Sequence, residues 1–169
     1  LVVVWLAMSC AFAAAVPALK IHLDKFDASR RQVALPSGIS LAYVDVGPRD
    51  APVVLLIHGY TSNTRGWVPL LPHLDQSRRY LIPDLRGHGQ SSKPSDGLRA
   101  RFPHYGYADM IAAQYRLVTE GLGVQHLRLV MGTSMGGMHT WLWGQRYPDA
   151  MDALLPLASL PAQISGRNR

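Results

Sequence analysis

His126-Leu127-Arg128-Leu129-Val130-Met131-Gly132-Thr133-Ser134-Met135-Gly136-Gly137 is the stretch whose reading decides the fold. An apolar run, His126–Met131, passes directly into Gly132-Thr133-Ser134-Met135-Gly136. A helical period then starts at Met135 and reaches Tyr147, where Pro148 stops it. The turn has the form G-x-S-x-G between a buried strand and a helix. There a serine is held in a sharp bend with its hydroxyl above the sheet, and the small residues two before and two after let neighbouring backbone pass. A shuffled chain of this composition contains the pattern about 0.09 times, so the strand-turn-helix context carries the argument. Ser134 also stands at a helix N-terminus, where free N–H groups and the dipole favour negative charge on a substrate oxygen. The plainer alternative is a glycine-rich turn with an N-capping serine.

Upstream of this stretch the chain alternates short apolar runs with helical periods, the pattern of a mostly parallel sheet with crossover helices. Gln32–Leu35 and Ile39–Val46 flank Pro36-Ser37-Gly38 and are expected as a hairpin. Val53–Ile57 is an unbroken β-branched and leucine run, expected as a central strand buried on both faces. A short helix is expected near Trp67–Leu74, limited by Pro69 and Pro72, and a strand at Tyr80–Pro83. From Tyr107 the period becomes 3.6, with Met110, Ile111, Gln114, Leu117 and Val118 on one face, and the helix should end at Gly121 or Gly123. A sixth strand, 153–158, is weakened by Pro156.

Two further loops bear on chemistry. His58-Gly59-Tyr60-Thr61 follows the central strand, where serine hydrolases of this architecture take one backbone N–H for an oxyanion. That reading assigns the N–H groups of Tyr60 and Met135 to an oxyanion hole, against the alternative of a strand-ending turn. In Pro83-Asp84-Leu85-Arg86-Gly87-His88-Gly89-Gln90-Ser91, His88 invites assignment as a base, and Asp84 with His88 as a metal pair. Gly87 and Gly89 break any helix that would align them, and none of the seven histidines stands in an H-x-H or H-E-x-x-H spacing. The expectation is a tight loop in which the Asp84 carboxylate accepts backbone N–H bonds and Arg86 faces outward. His139, one turn beyond Ser134, is expected to pack the helix or line a pocket. No metal and no cofactor is expected.

Leu55-Leu56-Ile57-His58-Gly59, Pro83–Ser91 and Gly132–Gly137, in this order, resemble the α/β-hydrolase superfamily. A narrower run through Phe102-Pro103, Tyr107, Asp109-Met110, Ala113-Gln114, Leu122-Gly123-Val124, Ser134–Met138, Trp143 and Tyr147-Pro148 resembles homoserine O-acetyltransferases and their homologues. The Arg86–Gly89 loop is of the hydrolase type. The resemblance implies a three-layer α/β-hydrolase fold, incomplete at the C-terminus. It implies an acyl-enzyme on Ser134 with water or an alcohol as second substrate, and a small ester or acyl donor as ligand. In this superfamily the catalytic acid and base follow the nucleophile, so the resemblance implies that they lie beyond Arg169, with residues 160–169 opening a lid. A pocket that binds a small ligand without catalysis is the reading of a different class.

Residues 1–18, LVVVWLAMSCAFAAAVPA, carry no charge and offer small-x-small cleavage spacings, so they are expected as a signal peptide ahead of a domain at 19–169. An uncleaved anchor, or a lipid on Cys10, is the alternative, and each would put the domain outside the cytoplasm. If the signal is cleaved, no stable membrane insertion is expected. A weaker third reading is a membrane-tethered interaction domain. Composition is that of a packed protein, with 48% hydrophobic and 17% charged residues. The only cysteine is Cys10, which excludes a disulfide framework. The net charge of +6 is scattered rather than clustered, which argues against nucleic acid as a partner.

Overall fold

The computed structural model describes residues 23–93 and 104–162. The expected signal peptide, Cys10, Phe102-Pro103 and the last seven residues lie outside the described residues.

Six strands form one sheet: β1 (Arg30–Ala34), β2 (Ser40–Val46), β3 (Val53–Ile57), β4 (Arg79–Pro83), β5 (Leu129–Thr133) and β6 (Leu154–Leu157). Their spatial order is β1-β2-β4-β3-β5-β6. β1, β2 and β4 pair antiparallel, while β4, β3, β5 and β6 run parallel. Every residue of β3 and β4 is buried, which is what a strand without polar alternation requires.

The two faces of the sheet have separate cores. On one, Val53, Leu55 and Ile57 meet α2 (Tyr107–Arg116) and α3 (Met135–Arg146) through Ile111 and the fully buried Trp143, with Val118 added from the turn that follows α2. On the other, Val54 and Leu56 meet Trp67, Leu71 and Phe26, the last from α1 (Leu23–Ala28). Alternate residues of each strand thus serve opposite layers, giving the three-layer α/β fold expected from the sequence.

Several boundaries differ from expectation. The segment near Trp67 is a 3-10 helix over Thr64–His73, since Pro69 and Pro72 each remove a helical N–H donor. The helix from Tyr107 loosens into a π-helical turn over Leu117–Gly121. β5 begins at Leu129 rather than His126 and runs on through Gly132 and Thr133, while Leu127 forms only an isolated bridge to Met151. Pro156 is tolerated because of its register. The Ala153 and Leu157 carbonyls accept from Val130 and Ser134 of the β5 side, so the odd-numbered residues face β5 and the proline nitrogen points away from β5, where no described strand pairs with β6.

Candidate active site

Ser134 is the hinge between β5 and α3. Its backbone has φ 55° and ψ −119°, a region that non-glycine residues adopt at a cost of about 1–3 kcal/mol. The surroundings hold it there. Its N–H donates to the Leu157 carbonyl at 2.9 Å, and its carbonyl accepts from Met138 N at 3.0 Å. The bend also needs bare glycines around it. A β-carbon on Gly132 would lie 2.1 Å from the Gly136 carbonyl oxygen, and one on Gly136 would lie 2.1 Å from that of Ile57. Ser134 itself is exposed, so the strained turn delivers its hydroxyl to the surface above the sheet.

The loop after β3 passes directly beside this hydroxyl. The position a Gly59 β-carbon would take is 3.3 Å from Ser134 Cβ and 3.9 Å from Oγ. Next along the chain come Tyr60 and then Thr61, which has φ 60°. Tyr60 N–H has no partner among the described residues, and Met135 N–H, first in its helix, has no intrahelical acceptor. Both flank a cleft of about 520 Å³ that Ser134 opens into, closed elsewhere by Met138 and residues 158–160.

His58 is locked and cannot serve as a base. Leu85 N–H donates to its Nε2 at 3.0 Å, so the proton is on Nδ1, which donates to the Gly59 carbonyl at 2.8 Å. The imidazole thereby ties the loop after β3 to the loop after β4. Burial lowers its pKa. His88 stands edge-on to His58 at 5.3 Å and to Tyr60 at 5.9 Å, with Nδ1 on the Arg86 carbonyl. Among the described residues no imidazole or carboxylate is hydrogen-bonded to Ser134 Oγ, and no three His, Cys, Asp or Glu residues group as metal ligands.

Asp84 is a structural anchor. Its fully buried carboxylate accepts from Thr64 N at 2.7 Å and Gln90 N at 2.8 Å, as expected. Sequence reasoning missed its third partner, Arg30 at 2.7 Å, from 54 positions away. Arg86 does not face outward: its guanidinium lies 4.4 Å over the Tyr105 ring, with Nε buried. A cation with an aromatic face within reach loses less by leaving water.

His139 packs between α2 and α3. Trp143 Nε1–H donates to Gln114 Oε1 at 2.9 Å, which turns the Gln114 NH₂ group toward His139 Nδ1, also at 2.9 Å. Nδ1 is therefore the acceptor and Nε2 carries the proton, with the Tyr107 ring 4.8 Å away edge-on. Burial pushes the His139 pKa down to about 3, helped by the nearby His58 and His88. The i, i+3 and i+4 spacings were legible as a helix face; the polar seam they form was not.

Residues 52–165 match the model of a family described as the alpha/beta hydrolase fold. The chain is 37% identical over 118 residues to a bifunctional esterase/perhydrolase of Acinetobacter calcoaceticus, covering 69% of this chain and 40% of that protein. It is 31% identical over 148 residues to a homoserine O-acetyltransferase of Chlorobaculum parvum, covering 77% and 40%. Among solved structures, a hydrolase from Pseudomonas aeruginosa superposes with a TM-score of 0.65 at 28% identity, covering 74% of this chain and 44% of that one. The chain spans about 40% of the length of these two curated relatives.

Proposed function

The chain belongs to the α/β-hydrolase fold family, and we propose that within it Ser134 is the nucleophile of an ester hydrolase or acyltransferase. Supporting this reading is one arrangement above all: a serine held at φ 55° at the start of α3, with the Gly59 backbone beside its Oγ. Strain of this kind persists only where surrounding structure enforces it, and here it exposes a hydroxyl.

In the proposed reaction Ser134 Oγ attacks the acyl carbonyl carbon while its proton passes to a base. The carbonyl oxygen, now negative, accepts from the N–H groups of Tyr60 and Met135, donors fixed before the charge develops. Collapse breaks the bond to the alcohol or thiol leaving group, which takes up the proton, and leaves the acyl group esterified to Oγ. Water or an alcohol then attacks this ester, releasing acid or a new ester and restoring the hydroxyl. The base and its orienting carboxylate belong, in this reading, to sequence outside the described residues. The non-catalytic reading, a pocket for a small ligand, draws on the absence of a base at Oγ among the described residues. Export rests on residues 1–18 and is tested by fractionating cells that express the full reading frame.

A fluorophosphonate probe tests the nucleophile. The protein from its full reading frame should be labelled on the peptide that carries Ser134, and Ser134→Ala should abolish labelling. Labelling that survives in Ser134→Ala overturns the assignment.

A further inference from the structure

The Gly59 carbonyl and the Tyr60 N–H belong to one peptide unit, which is planar and trans, so the two groups point in opposite directions. Whatever holds the carbonyl therefore aims the N–H. The carbonyl accepts from His58 Nδ1–H at 2.8 Å and, less closely, from Ser62 N at 3.3 Å. The His58 ring is 1% exposed, which places the carbonyl on the inner side of the loop. The N–H of the same peptide is thereby turned outward, toward the cleft that Tyr60 and Ser134 share.

The ring is held in turn at its other nitrogen, where Leu85 N–H donates to Nε2 at 3.0 Å. Leu85 follows Asp84, whose N–H donates to the Ala42 carbonyl of β2 at 2.8 Å and whose carboxylate is held by Arg30 at 2.7 Å. The same carboxylate accepts from Thr64 N at 2.7 Å, at the far end of the loop that begins with His58. Residues 58–64 are thus fastened at both ends to the loop after β4, and the Gly59–Tyr60 peptide lies between. Burial keeps the imidazole neutral by lowering its pKa, as an acceptor at Nε2 requires. A hydrogen bond to a peptide carbonyl also polarises that peptide, which strengthens its N–H as a donor.

We propose that His58 is a positioning residue for the oxyanion: its Nδ1–H holds the Gly59–Tyr60 peptide with the N–H toward Ser134, and its Nε2 fixes the ring to the loop after β4. The inference rests on Ser134 as nucleophile and on the Tyr60 N–H as an oxyanion donor. Buried behind the loop, His58 acts through that peptide alone. A donor swung out of line is missed only where negative charge develops, so the effect falls on kcat rather than on ground-state binding.

The test uses the protein from its full reading frame, p-nitrophenyl acetate as substrate, and substitutions that separate the two nitrogens. Asparagine keeps a donor near the Nδ1 position but does not reach Leu85; glutamine keeps an acceptor near the Nε2 position but not the Nδ1 donor; alanine keeps neither. Rates are normalised to the fraction of sites that a fluorophosphonate labels at completion, so unfolded protein does not count. His58→Ala should lower kcat about 100-fold, the scale for one lost oxyanion donor, with KM changed by less than about threefold. His58→Gln should fall nearly as far, and His58→Asn should recover about tenfold of the loss. Inhibition by a trifluoromethyl ketone, whose serine adduct carries the oxyanion, should weaken in the same order. A purely structural tie between the loops gives the reverse order, glutamine above asparagine, because only glutamine keeps the link to Leu85. That reverse order, or a folded His58→Ala with kcat within about threefold of wild type, overturns the proposal and leaves the nucleophile standing. Should the variants not fold, nitrogen-15 NMR of the wild-type imidazole decides: a proton on Nδ1 is expected, and a proton on Nε2 overturns the proposal. If the wild-type protein is not labelled by the fluorophosphonate at all, the nucleophile falls and the inference with it.

Discussion

Gly136, one residue into the first turn of α3, lies against the carbonyl end of β3 so closely that a β-carbon on it would sit 2.1 Å from the Ile57 oxygen and 2.6 Å from that of His58. The contact joins the helix that starts at Ser134 to the strand that delivers Gly59 and Tyr60. Both obstacles are backbone atoms, and backbone cannot rotate aside as a side-chain tip can.

Gly136→Ala should therefore push α3 away from β3, at a cost of about 3 kcal/mol, the upper part of the range for overpacking a close contact. Denaturant unfolding should show a lower midpoint with an unchanged slope. An unchanged midpoint would mean that the helix absorbs the methyl group without moving.

The strain at Ser134 makes a separate prediction about stability. Ser134→Gly should raise stability by about 1 kcal/mol, because glycine adopts φ 55° without the steric cost that serine bears. Ser134→Ala keeps a β-carbon and should leave stability nearly unchanged. For a domain of this size the glycine variant should melt about 2–4 °C higher. Equal melting of the two variants would show that the turn holds no stored strain.

His139 couples folding to acidity. Folding holds its imidazole neutral, with the pKa down at about 3, whereas an unfolded histidine binds a proton below about 6.5. Below that pH the unfolded state binds more protons, so stability falls as pH drops from about 6.5 toward 3, by at most about 1.4 kcal/mol per pH unit for one group. His58, also lowered by burial, acts in the same direction. Melting temperatures measured from pH 7 to 4 should fall less steeply in His139→Asn than in the wild type; parallel curves would contradict a neutral buried His139.

The features legible in the sequence are those set by local sterics and periodicity. The Gly132–Gly136 pattern announces the bend because only small residues survive the approaches measured at Gly132 and Gly136. The unbroken run Val53–Ile57 announces a doubly covered strand because every residue on it must meet a layer. Asp84 could be read as a loop anchor from the glycines and Ser91 around it, since an Asx side chain serves nearby N–H groups.

Tertiary structure decided the rest. Arg30 reaches Asp84 across 54 positions, and nothing in either local pattern foretells the pairing. The Gln114, His139 and Trp143 chain joins two helices at spacings of 25 and 29 residues, and the protonated nitrogen of His139 follows only from the direction of the Trp143 hydrogen bond. Arg86 turns inward because Tyr105 happens to stand below it. Strand ends moved for a similar reason: β5 extends to Thr133 because β6 supplies partners there, which composition alone does not record. By itself the sequence determined which residues must bend and which must be buried, because those demands are steric and local. Which distant groups complete each hydrogen bond, and which residues come to line the cleft beside Ser134, depend on elements that meet only after the sheet has formed.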